Sequence, residues 1–63
     1  MQVIITGADT REELDRLETT VQEVSLMIQA NSFAIDNTIY SVIESEYDYS
    51  KGITFLYVEV LEN

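Results

Sequence analysis

At 63 residues, the chain is long enough for one small domain and lies near the lower limit at which a lone hydrophobic core holds a fold. Twelve acidic residues face three basic ones, giving a formal net charge of −9. This balance argues against direct contact with nucleic acid or with an anionic membrane, because phosphate groups are bound by Lys and Arg. Cysteine and histidine are both absent, so disulfides are excluded and a structural zinc site is not expected.

The amino-terminal residues carry neither a basic segment nor a long apolar run, so no secretory signal is expected. No apolar run approaches the roughly 20 residues that a membrane-spanning helix requires. The lack of cysteine is compatible with a reducing compartment. We therefore expect a soluble, cytoplasmic protein that does not bind membranes.

Three stretches rich in β-branched, aromatic and aliphatic residues predict strands at residues 2–6, 38–47 and 53–61. The third stretch is apolar on both faces, which is typical of a strand that is covered on both sides. Residues 33–37 predict a connector with Phe33 and Ile35 near the core. A tight hairpin at Asp36-Asn37 is the less favoured alternative.

The stretch after the first predicted strand has apolar residues at spacings of three and four, which predicts a helix over residues 10–30. Thr10 with Glu13 matches a capping box at its start, and Asp9 with Glu12 matches it nearly as well. Asn31 suits the left-handed position after the end of the helix. A coiled-coil seam is the alternative to packing on a sheet, although little more than two heptads are present. The predicted core stripe comprises Leu14, Leu17, Val21, Val24 and Ile28.

The order strand–helix–strand–strand predicts an α+β fold of the split βαβ type in a single domain spanning residues 1–63. Right-handed crossover through the helix makes the first two strands parallel. The third strand then lies between them, antiparallel to both, in a three-stranded sheet. The helix covers one face of this sheet and leaves the other face open.

The register of the last two strands follows from the loop between them. A four-residue loop at residues 49–52, with Gly52 available for positive φ, sets Asp48 opposite Ile53. Continuing this register without interruption predicts the pairs Ser45–Leu56, Ile43–Val58 and Ser41–Val60. A slip by one residue would mix acidic and apolar side chains on both faces.

In that register the uncovered face of the sheet is rich in aromatic and acidic side chains, the composition of a protein–protein interface. A few exposed aromatics on a small domain are also normal, but their clustering on one face favours a binding patch. The residues predicted to bind a partner are Tyr40, Val42, Glu44, Glu46, Asp48, Phe55, Tyr57, Glu59 and Leu61.

The residue types needed for common catalytic chemistry are missing. Without His or Cys, and with the sole lysine, Lys51, in a predicted turn, a serine nucleophile lacks a base. Glu44 and Glu46 lie outside any Asp-rich loop of the kind that binds calcium. We therefore predict a non-enzymatic protein without cofactor or metal, and a small acidic enzyme or metal binder is the weakest alternative.

Glu44, Glu46 and Asp48 alternate along one predicted strand, so successive carboxylates stand roughly 6.6–6.8 Å apart. This spacing is similar to that of successive phosphates along a nucleic-acid strand, and a solvated acidic face is the plainer interpretation.

Small acidic proteins of phages and mobile elements resemble the chain in composition. We predict a binding module of phage or bacterial type, an inhibitor or accessory factor that docks on a larger basic protein, such as a nucleic-acid-binding one. We also expect the chain to form a homodimer, either face to face across the aromatic patch or by pairing of exposed strand edges. The alternative function is a structural homodimerisation domain without a foreign basic partner.

Overall fold

The computed structural model describes residues 1–62, so the predicted domain end at residue 63 lies outside the described residues. These residues form five strands and one helix. In chain order the elements are β1 (Gln2–Gly7), β2 (Glu13–Glu18), α1 (Val21–Ala30), β3 (Ser32–Ile35), β4 (Thr38–Asp48) and β5 (Ile53–Glu62).

The five strands form one mixed half-barrel sheet in the order β2-β1-β5-β4-β3. The central strand β5 is parallel to β1 and antiparallel to β4. The edge strands β2 and β3 pair antiparallel with β1 and β4. The two strands with the most apolar sequences, β1 and β5, therefore lie side by side and are flanked on both sides.

The predicted three-stranded β-α-β-β sheet is wrong. The predicted strands at residues 2–6, 38–47 and 53–61 lie within β1, β4 and β5. However, β1 is parallel to β5 rather than antiparallel to it, and two further strands extend the sheet at its edges. These edge strands are β2, which was predicted to be part of the helix, and β3, most of which was predicted to be a connector.

The predicted helix over residues 10–30 is wrong in its first half, where the chain forms strand β2. Leu14 and Leu17 are three residues apart, a spacing typical of a helix. Here the register of β2 against β1 shifts between Glu13 and Asp15, so Leu14 is an extra residue in the strand. A bulge of this kind inserts one residue and locally interrupts the alternation of faces. The helix-like spacing thus arises from a bulged strand.

The helix begins after Thr20, whose side-chain oxygen accepts a hydrogen bond of 3.1 Å from the backbone N–H of Glu23. The predicted capping residue, Thr10, instead lies in the β1–β2 loop, where its hydroxyl accepts from the N–H of Glu12 at 3.2 Å. At the other end Asn31 has a φ of 65° and donates its N–H to Ile28. The predicted left-handed residue after the helix is therefore confirmed.

The connector predicted at residues 33–37 is wrong as well, because β3 and β4 form a tight hairpin. Ile35 pairs with Thr38 across a two-residue turn at Asp36-Asn37. Asp36 has a φ of 54°, a conformation that Asp and Asn adopt more readily than most residues.

The core lies between α1 and the concave face of the sheet. Its buried members are Val3, Ile5, Val24, Tyr40, Leu56 and Val58. Of the predicted helix stripe only Val24 is buried, whereas Val21 is 58% exposed. Among the described residues, no helix has the length and apolar character needed to span a membrane.

Candidate functional site

The register of β4 against β5 determines which side chains share a face. The predicted pairs Asp48–Ile53 and Ser45–Leu56 are confirmed. Beyond Glu44 the register shifts by one residue, because Ile43 is an extra residue and Val42 pairs with Val58. The predicted pairs Ile43–Val58 and Ser41–Val60 are therefore wrong.

This bulge moves two predicted partner-binding residues to the concave face. Tyr40 pairs with Val60, is only 6% exposed and belongs to the core. Its ring lies 5.3 Å from that of Phe33, centroid to centroid. Val42 is half-buried and packs against the same core. Their predicted place on the open face is wrong, because a one-residue insertion reverses the faces of the residues beyond it.

Leu61 and Glu59 lie near the end of β5, and Glu59 shares the convex face with Tyr57, two residues before it. Leu61 is the extra residue at a second register shift, and its side chain is 59% exposed. Glu59 is exposed and pairs with Ser41.

Besides Glu59, five of the predicted residues lie together on the convex face, and we call these five the outer-face cluster. In the confirmed part of the register, three carboxylates of β4 stand opposite three residues of β5. The cluster consists of Glu44, Glu46, Asp48, Phe55 and Tyr57.

The aromatic part of the cluster is a stacked pair. The rings of Phe55 and Tyr57 have centroids 6.4 Å apart and planes inclined by 17°. Both side chains are half-buried. Offset stacking of this kind positions aromatic rings more firmly than burial alone.

The side chain of Arg11 lies over the ring of Tyr57. The guanidinium carbon of Arg11 lies 4.5 Å from the centroid of Tyr57, within the range of a cation–π interaction. Arg11 sits in the β1–β2 loop with a φ of 64°, an uncommon conformation for a residue other than glycine. Sequence reasoning missed Arg11, because it was assigned to the first turn of a helix and nothing in the local pattern indicates this contact.

A hydrogen bond joins the aromatic and acidic parts of the cluster. The hydroxyl of Tyr57 donates to Oε1 of Glu46 at 2.9 Å. This bond, followed by desolvation and by the negative charge of Glu46, raises the pKa of Tyr57 above its usual value, and the nearby Arg11 partly opposes the rise. The bond fixes the orientation of Glu46 on the surface.

Asp48 is held at the other end of the cluster by the β4–β5 turn. Its carboxylate accepts from the hydroxyl of Ser50 at 2.6 Å and from the N–H of Lys51 at 3.2 Å. The hydrogen bond from Ser50 is the main cause that lowers the pKa of Asp48, with smaller contributions from Lys51. Asp48 thus remains ionised at a lower pH than an ordinary aspartate.

The basic side chains leave most of the acidic charge of the sheet uncompensated. Arg16 makes a two-pronged ion pair with Glu13 on β2, with hydrogen bonds of 2.9 and 2.7 Å. This pair lowers the pKa of Glu13 and raises that of Arg16. Arg11 lies over Tyr57, and Lys51 lies in the β4–β5 turn.

A shallow depression of 270 Å³ opens on the convex face beside the cluster and is bordered by Arg11, Glu44, Ser45, Glu46 and Tyr57. Its walls offer carboxylate oxygens and an aromatic ring. Within residues 1–62, no three acidic side chains are grouped closely enough to hold a metal ion. The ring of Tyr57 is already covered by Arg11, so the groups left to receive a basic side chain here are the carboxylates of Glu44 and Glu46. No protein family model, curated protein or solved structure matches the chain.

Proposed function

We propose that the chain is a small acidic, non-enzymatic module that docks on a larger basic protein through its outer-face cluster. The observation that carries this proposal is the arrangement of Glu44 and Glu46 beside the stacked rings of Phe55 and Tyr57 on one rigid sheet. Aromatic anchors bordered by charge are the usual composition of a protein interface.

The chemistry of the partner follows from charge. The chain carries a net charge of −9, and the cluster contributes three carboxylates. Lysine and arginine side chains can form charge-assisted hydrogen bonds with these carboxylates. We take the partner to present such a basic surface, for example a groove that otherwise binds nucleic acid, and we place the interaction in the cytoplasm. An inhibitor or accessory factor of phage or bacterial type fits this role.

The second candidate is a homodimer formed through the same face, because a second copy could bury the half-exposed aromatic pair there. A charge of −9 on each copy opposes this association. Salt distinguishes the two candidates, since screening strengthens a dimer of like charges and weakens binding to a basic partner.

The proposal is tested with two variants of equal net charge, used as immobilised baits in a bacterial lysate. Glu44→Gln with Glu46→Gln removes two charges from the cluster, whereas Glu12→Gln with Glu23→Gln removes two exposed charges elsewhere. We expect a basic protein to be retained by the wild-type chain and by the second variant, to be lost with the first, and to elute as salt rises.

Equal capture of basic proteins by both variants would show attraction to net charge alone and would contradict a docking site. Sedimentation equilibrium at tens of micromolar tests the second candidate. A dimer that strengthens with salt and is dissociated by Phe55→Ala would assign the face to a second copy of the chain.

A further inference from the structure

The central strand β5 is longer than its neighbour β1. The two strands pair from Gln2 opposite Ile53 to Gly7 opposite Val58. Beyond that point β1 ends in the β1–β2 loop, whereas β5 continues to Glu62. In the described part of the chain, residues 59–62 therefore have β4 as a strand neighbour on one side and no strand on the other.

Some backbone hydrogen-bonding groups of residues 59–62 point to the side of β5 that has no strand neighbour. The carbonyl oxygen of Val58 accepts a hydrogen bond of 2.8 Å from the N–H of Ala8, just beyond the end of β1. Backbone groups of alternate residues in a strand point to the same side. The N–H and C=O of Val60 thus point to the side that β1 has left, forming an exposed strand edge.

A groove of 490 Å³ lies along this edge. The β1–β2 loop forms one wall, and residues 58–61 of β5 form the other. Three of its apolar side chains are markedly exposed: Leu14 at 41%, Val60 at 45% and Leu61 at 59%. An extended segment placed in the groove can therefore bury side chains while its backbone pairs with β5.

The loop wall is fixed by its own hydrogen bonds. The N–H of Gly7 donates to the carbonyl of Glu12, and the N–H of Arg11 donates to the carbonyl of Gly7, both at 2.9 Å. A Cβ at Gly7 would lie 2.8 Å from the hydroxyl oxygen of Thr10, so a larger residue there would displace the Thr10 side chain. The groove thus exists before any segment binds, which reduces the entropic cost of binding.

The negative charge of the groove favours a positively charged segment as its ligand. Asp9 and Glu59 line it, and both are exposed. A second copy of the chain would bring nine further negative charges toward these carboxylates. We infer that the edge of β5 at residues 59–62 receives an extended segment bearing Lys or Arg from a partner protein, which adds a sixth strand to the sheet. This inference does not depend on the outer-face cluster.

The test uses an acetylated, fluorescein-labelled peptide of sequence Lys-Val-Lys-Val-Lys-Val, with fluorescence anisotropy as the readout. Val60→Pro removes the N–H that points to the groove, and edge positions tolerate proline. Val60→Thr keeps both the N–H and the β-branched shape. We expect the Kd of Val60→Thr for the peptide to lie within about threefold of the wild-type value. The Kd of Val60→Pro should be at least about tenfold higher, because the loss of one backbone hydrogen bond worth about 1.4 kcal/mol corresponds to that factor.

A second measurement leaves the protein unchanged, so it remains decisive if Val60→Pro fails to fold. A peptide of the same sequence and charge, N-methylated at every backbone amide, cannot donate a backbone hydrogen bond along either of its edges. We expect wild-type protein to bind it at least about tenfold more weakly than the unmodified peptide. Equal binding of the two peptides would overturn the inference, because contact would then rest on charge alone. A wild-type dimer that Val60→Pro dissociates would overturn it too, by assigning the edge to a second copy.

Discussion

The hydroxyl of Tyr57 and the carboxylate of Glu46 are joined by a hydrogen bond of 2.9 Å that runs diagonally between β5 and β4. Directly across the strands, Tyr57 faces Glu44 and Glu46 faces Phe55. The bond thus connects two neighbouring cross-strand pairs of the outer-face cluster. It makes the ionisation of Tyr57 a reporter of the geometry of this face.

We expect Glu46→Gln to lower the pKa of Tyr57 toward its ordinary value, because the carboxylate is the main cause of its rise. A raised pKa in the folded state means that the contribution to stability is present below the unfolded value of 10.0 and is lost as pH rises through the folded value. Glu44→Gln removes an equal charge without removing the bond and serves as the control. An NMR titration of the tyrosine rings provides the measurement, and equal pKa changes in the two variants would contradict the bond.

The second prediction concerns the core. Val58 is 2% exposed, so Val58→Asp buries a carboxylate without a partner, at a cost of several kcal/mol. A domain of this size has a free energy of unfolding of only about 5 kcal/mol. We expect Val58→Asp to be unfolded at room temperature by circular dichroism. Val60→Asp, on the same strand but 45% exposed, is the matched control and should melt cooperatively near the wild-type temperature.

The sequence predicted the register near the β4–β5 turn correctly, because turn length and the sorting of acidic from apolar side chains both act there. Loop residues 49–52 set Asp48 opposite Ile53, and the pattern holds as far as Glu44. Beyond that point the bulge at Ile43 changes the register. A bulge adds one residue without a distinctive composition, so period-2 reasoning placed Tyr40 on the wrong face.

The assignment of β2 to a helix has the same physical cause. The bulge at Leu14 gives the strand a spacing of three between its leucines, and this mimics one turn of a helix. A signal against the long helix was nevertheless present. Thr20 and Glu23 have the same Thr-x-x-Glu spacing that was sought at Thr10, and the side chain of Thr20 caps the actual start of α1. The contact of Arg11 with Tyr57 joins distant parts of the chain, and no local pattern encodes it.

The third prediction concerns the cap that Thr20 provides. We expect Thr20→Ala to lower the free energy of unfolding by about 1 kcal/mol, because the N–H of Glu23 loses its acceptor at the start of α1. For a domain of this length, this corresponds to a fall of about 4–8 °C in melting temperature. Thr20→Asn keeps a side-chain acceptor and should melt close to wild type. If both variants melt alike, the cap contributes nothing measurable.

The last prediction tests the bulge in β4 directly. Val42 packs against the core opposite Val58, whereas its neighbour Ile43 is 55% exposed. A carboxylate introduced at residue 42 therefore contacts apolar side chains, whereas one introduced at residue 43 is exposed to water. We expect Val42→Asp to lower the free energy of unfolding by about 2 kcal/mol or more, because its carboxylate is brought against apolar side chains.

Ile43→Asp places its carboxylate in water beside Glu44 and should change the free energy of unfolding by less than about 1 kcal/mol. Urea denaturation of both variants, followed by far-ultraviolet circular dichroism, measures the difference. In an uninterrupted register Ile43 would face Val58 in the core and the order of the two effects would be reversed. A larger loss for Ile43→Asp would therefore show that β4 runs without a bulge, and it would return Tyr40 and Val42 to the outer face.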